Sequence, residues 1–201
     1  MTFQLGTSLL DARNGHPLHL RNLGANFIEH SIKTAQLDSN QQQILKNQFW
    51  SLVFCEIGAF DACNEKILLK EKVASCMAQL ACKLWLRPED DPYQWNDFFE
   101  GGILESVLKA QNISGAEHLR RQEFALLTIS YLINFIRSNE TIFSEERRLQ
   151  LHSGLEIVLP PFTDWLFQNF PSAVSSNVSW NVLTAALRCF SSFCVWMGNL
   201  N

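Results

Sequence analysis

Surplus positive charge is missing from this chain. Its 16 Lys and Arg are outnumbered by 20 Asp and Glu, giving a net charge of −4 and a pI near 5.7. A protein so balanced has no excess cation with which to hold a phosphate backbone, which argues against nucleic acid as a first ligand. Six cysteines are present (Cys55, Cys63, Cys76, Cys82, Cys189, Cys194), but none form C-x-x-C and no His falls at a zinc-ligand spacing from them. A zinc site is therefore not expected. The opening MTFQLGTSLL has neither a basic stretch nor a proper apolar one, so no secretory signal is legible there. A reducing compartment is the natural expectation; the thiols then read as small core residues, and the sequons at Asn112, Asn139 and Asn177 as chance. The longest apolar run, FALLTISYLINFI at 124–136, contains Thr, Ser and Asn. It falls short of the roughly 20 residues a bilayer span requires and reads as a buried helix, with no membrane partner implied. No G-x-x-x-x-G-K-[ST], G-x-G-x-x-G or H-E-x-x-H occurs, and His16, His19, His30, His118 and His152 lie scattered without a companion nucleophile or carboxylate pattern. Enzyme, metal and cofactor chemistry find no support in the sequence.

Apolar material is plentiful. Of 201 residues 47% are hydrophobic, including 15 Phe and 6 Trp, enough for a substantial core. No segment alternates with period 2 better than it repeats with period 3.6, so the chain reads as helical throughout. The first helix is expected over about 17–33, opening at Pro17 and burying Leu20, Leu23, Phe27, Ile28 and Ile32. The second is expected over about 39–60, capped by Asp38 or Ser39, with Ile44, Leu45, Phe49, Leu52, Val53, Ile57 and Phe60 on its apolar stripe. A third spans about 64–85, burying Leu68, Val73, Met77, Leu80, Ala81 and Leu84 before the acidic loop LRPEDDPYQ. A short fourth, about 95–109, carries Trp95, Phe98, Phe99, Leu104, Val107 and Leu108 across a weakening Gly101-Gly102 pair.

The fifth helix, about 116–137, is the most apolar. The sixth runs from Ser144 to Phe170, with Glu145 and Glu146 suiting its amino-terminal dipole and Pro160-Pro161 expected to kink or split it. A last helix, about 177–197, is expected to bury Val178, Val182, Leu183, Ala186, Leu187, Phe190, Cys194 and Met197. Residues 1–16 read as a polar leader with little order. Antiparallel pairs would then start near 17, 64, 115 and 177, in steps of about 47, 51 and 62 residues that approximate a long HEAT-type repeat. The expected architecture is all-α: a right-handed α-α superhelix of HEAT/ARM-like repeats, about seven helices in three to four hairpins (17–60, 64–109, 115–170, and an unpaired helix 177–197). A final apolar helix with nothing after it to cover it suggests that the repeats continue beyond Asn201.

Three stretches carry a family likeness. LRNLGANFIEHSIK (20–33) followed by QILKNQFWSLV (43–53) resembles the early repeats of exportins in the importin-beta superfamily. KEKVASCMAQLACKLW (70–85) is similar to a helix of these receptors that ends in a basic residue, Trp, Pro and a second Trp, roles that Trp85, Pro88 and Trp95 take here. FSSFCVWMGNL (190–200) is similar to a later helix, through Phe193, Trp196 and Met197. Their order looks most like the exportin-five branch. The resemblance implies a karyopherin shuttling between nucleus and cytoplasm, whose amino-terminal repeats hold the GTP form of the small GTPase Ran beside a cargo of folded protein or structured RNA. Any RNA contact is expected elsewhere in a longer receptor, since this segment lacks a basic surface.

Candidate partner-binding residues follow on two surfaces. Gln43, Lys46, Asn47 and Trp50 share the polar side of the second helix, where a Trp among polar groups suits a contact hot spot; packing of Trp50 against a neighbouring repeat is the competing reading. The acidic loop Glu89-Asp90-Asp91 and the acids Asp97, Glu100 and Glu105 could face a basic partner, and solvation alone explains them as well.

Overall fold

The computed structural model describes residues 2–34, 37–53, 67–86, 94–99, 102–103, 116–175 and 180–198. These are helical, with no strand among them. In chain order the helices are α1 (Thr2–Leu10), α2 (Leu18–Lys33), α3 (Ser39–Val53), α4 (Ile67–Leu84), α5 (Ala116–Ser138), α6 (Glu145–Ser175) and α7 (Trp180–Gly198). Short 3-10 turns occupy Ala12–Asn14 and Asn96–Phe98.

The chain begins with order where a disordered leader was expected. Phe3, Gly6 and Leu10 recur at helical spacing and are buried, so Thr2–Leu10 folds as a helix against α2. Glycine makes that contact close. A Cβ on Gly24 would lie 2.8 Å from both the Gly6 carbonyl oxygen and the Leu10 nitrogen, so the two backbones meet at a spacing no larger residue permits. Asp11 then caps the 3-10 turn by accepting from the Arg13 backbone N–H at 2.9 Å, and Gly15, at φ 64°, supplies the left-handed residue that redirects the chain. Pro17 starts α2 as anticipated: its carbonyl accepts from Leu20 and Arg21 at 3.0 and 3.1 Å.

Asp38, not Ser39, caps α3. Its Oδ1 accepts from the Gln41 N–H at 2.8 Å while Gln41 Oε1 accepts from the Asp38 N–H at 3.2 Å, a reciprocal capping box. At the far end of α4, Leu86 adopts φ 57°, the left-handed residue that follows many helix ends. Arg147 of α6 donates to the Cys82 and Trp85 carbonyls at 2.6 and 2.7 Å, satisfying groups that the end of α4 leaves without helical partners. The remainder of the expected second helix, 54–60, lies outside the described residues.

Among the described residues α2 packs on α1 and α4, α4 on α2 and α5, and α5 on α4 and α7, while α3 and α6 touch this row more lightly. The expected pairing of α2 with α3 and of α5 with α6 is therefore not the principal packing. One hydrophobic cluster runs through the row. α4 and α5 sit at its centre and are buried over most of their circumference, including Val73, Met77, Leu80 and Leu84 on α4 and Leu126, Ile129, Leu132 and Ile136 on α5.

Other expectations change too, among them the burial of Leu23 and Ile44, which are exposed. Leu68, placed in the core by its spacing, is 67% exposed, because Leu69 takes the inward position at the start of α4. The described part of the expected fourth helix is a 3-10 turn followed by π-type residues at Phe99, Gly102 and Ile103, not an α-helix; Trp95, Phe98 and Phe99 are nonetheless buried, with Phe99 stacked on Trp85, Phe98 tilted against it and Trp95 edge-on to Phe98. α6 passes through Pro160-Pro161 unsplit. The carbonyls that lose their N–H partners there belong to Glu156 and Ile157, both exposed, where water can replace the lost bonds. Finally, α7 is rotated from the expected stripe: Val182, Ala185, Ala186, Cys189, Phe193 and Trp196 are buried, whereas Leu187, Cys194 and Met197 are exposed.

Candidate functional site

α3 presents the first of the sequence-derived surfaces. Gln43 donates from Nε2 to Asn47 Oδ1 at 2.8 Å, one helical turn along. Lys46 is committed elsewhere: its Nζ donates to the Gln94 carbonyl at 2.9 Å and lies 5.9 Å from the centre of the Trp95 ring. That contact joins α3 to the turn that bears Asp97, so the two candidate surfaces adjoin. Asp97 is exposed there. The Trp50 side chain and Glu89, Asp90, Asp91, Glu100 and Glu105 lie outside the described residues.

Charge is concentrated on the seams between helices. Glu29 of α2 receives Lys72 of α4 as a close ion pair, Gln79 of α4 at 2.9 Å and Lys33 at 3.0 Å. Burial by itself would raise the pKa of this carboxyl, but the hydrogen bonds from Lys72, Gln79 and Lys33 outweigh it and bring the pKa down to about 2. Deeper in, Lys70 of α4 meets Glu123 of α5 at 2.8 Å with both side chains almost wholly buried. The thiols nearby are inert: burial pushes Cys76 and Cys82 up to about 12 and raises Cys189 well above the ordinary thiol range.

A feature the sequence reading passed over is a cleft of about 330 Å³ between α5 and α7. Ser130, Tyr131, Asn134 and Arg137 line it from α5, and Arg188, Ser191, Ser192 and Val195 from α7. These residues recur at three- and four-residue spacing on each helix, so both present one polar edge to a shared groove. Arg188 is ion-paired with Glu71 of α4. Burial and the Glu71 charge raise the pKa of Tyr131. On the floor, Ser130 and Ser192 Oγ are 3.0 Å apart and Asn134 Nδ2 donates to Ser192 Oγ at 3.0 Å.

Among the described residues no group of His, Cys, Asp or Glu is arranged to hold a metal ion, and no helix is long and apolar enough to cross a membrane. Comparison of the chain with protein-family models, with curated proteins and with solved structures finds no match.

Proposed function

We propose that this chain is a segment of an exportin-like nuclear transport receptor. It would bind the GTP form of Ran and take part in export of a protein or structured-RNA cargo, shuttling between nucleus and cytoplasm. In this reading the helices stack as a right-handed superhelix of HEAT/ARM-like repeats, and recognition works through surface complementarity without hydrolysis by the chain itself. The observation that carries it is the ordered succession of the three exportin-like stretches, two of which fall on α2 with α3 and on α4, where α2 and α4 pack together in the row. An open row of helices offers long faces to a macromolecular partner.

A second reading, a helical-repeat interaction scaffold that does not bind Ran, draws on the engagement of Lys46 with Gln94 and Trp95, which removes one cation from the face offered to a partner. Capture of the chain on immobilised Ran loaded with a non-hydrolysable GTP analogue or with GDP separates the two. The receptor reading expects retention on the GTP form alone. Equal retention, or none, would remove it and leave the scaffold.

A further inference from the structure

The cleft between α5 and α7 has chemistry that neither reading uses. Its floor is already satisfied. Ser192 Oγ donates to the Arg188 carbonyl at 3.0 Å and accepts from Asn134 Nδ2, so Ser130, 3.0 Å away, takes the donor role toward it. A hydroxyl has one proton and two lone pairs to give, and all three are spent at Ser192. What remains available lies on the rim: the second N–H and the Oδ1 of Asn134, the exposed Ser191 hydroxyl, and the guanidinium of Arg137.

Charge balance identifies the ligand class. Arg188 is neutralised by Glu71, and the acid one turn beyond Arg137, Glu140, lies 3.3 Å from His152 Nε2 instead. No carboxylate among the described residues pairs with Arg137, so its single positive charge is left to an incoming ligand. A single carboxylate matches that charge, whereas a phosphate dianion would carry a second negative charge with no partner. Leu127 and Val195 supply an apolar wall suited to the methylenes that bear a carboxylate. A volume of about 330 Å³ is at the small end for a ligand pocket and admits one side chain with its flanking peptide groups.

We propose that this cleft receives an acidic side chain from an extended polypeptide segment, with Arg137 pairing the carboxylate and the Asn134 amide hydrogen-bonding an adjoining peptide group. The site stands independently of Ran binding.

The test is titration of the full chain with a capped hexapeptide containing one Glu, and with counterparts carrying Gln or phosphoserine at that position. Binding is followed by NMR at the Asn134 side-chain amide and Arg137 Nε. The Glu peptide should shift both signals to saturation, and the Gln peptide should bind about tenfold more weakly, as expected for loss of a charge-assisted hydrogen bond. Arg137→Gln should weaken the Glu peptide by about the same factor, while Arg148→Gln, on the exposed side of α6, should change it less than about twofold. Helical circular dichroism of Arg137→Gln should match the parent chain. No saturable shift, equal binding of the Glu and Gln peptides, tighter binding of the phosphoserine peptide, or unchanged affinity in a folded Arg137→Gln chain would each overturn the proposal.

Discussion

Lys70 and Glu123 face one another across α4 and α5 with side chains only 6% and 4% exposed. Two charges so placed have exchanged water for each other, and removing one strands its partner. Lys70→Met is therefore expected to cost about 3–5 kcal/mol in urea unfolding, and the double variant Lys70→Met, Glu123→Leu should recover most of it. Glu29 behaves differently because it retains some solvent contact. Its folded pKa of about 2 lies below the ordinary 4.5, so its stabilisation is complete above pH 4.5 and is lost as the pH falls toward 2. After allowance for solvent screening the effect is about 1–2 kcal/mol, and Glu29→Gln should flatten the acid limb of stability against pH between those limits. Neither pair could be found from sequence. They join residues 53 and 43 positions apart, and nothing in the local pattern distinguishes Lys70 from a solvated lysine.

At the scale of elements, the helices with strong apolar periodicity were legible: α2 through α7 lie near their expected positions because residues such as Ile28, Leu45, Val73, Ile133 and Leu155 repeat at 3.6. α1 was missed because its inward face depends on Gly6, which hydropathy does not score as core. α7 offers two overlapping apolar stripes, and the one rich in Ala, Cys and Ser turned inward because small residues let it approach α5 closely. The glycine contact yields a test. Gly24→Ala places a Cβ 2.8 Å from backbone atoms of α1, which cannot yield as a flexible side chain would, and should lower stability by about 1–3 kcal/mol in thermal or denaturant unfolding. Gly198→Ala, with no atom within 4 Å of its Cβ, should be neutral or slightly stabilising.

Over the molecule as a whole, the described helices form a row from α1 through α2, α4 and α5 to α7, with one core running along it. The helical class was readable because apolar spacing reports burial in any helical packing. Which helices would be neighbours was not, since amphipathic periodicity says that a face is buried and not against what. The same limit hid the cleft. Ser130 and Asn134 looked like blemishes in an apolar run until α7 placed Ser192 and Arg188 opposite them. Hydrogen–deuterium exchange of the full chain with Ran in its two nucleotide states tests the transport proposal most directly. The GTP form should slow amide exchange in α3, Ser39–Val53, and the GDP form should leave it unchanged; exchange profiles identical in the two states would contradict it.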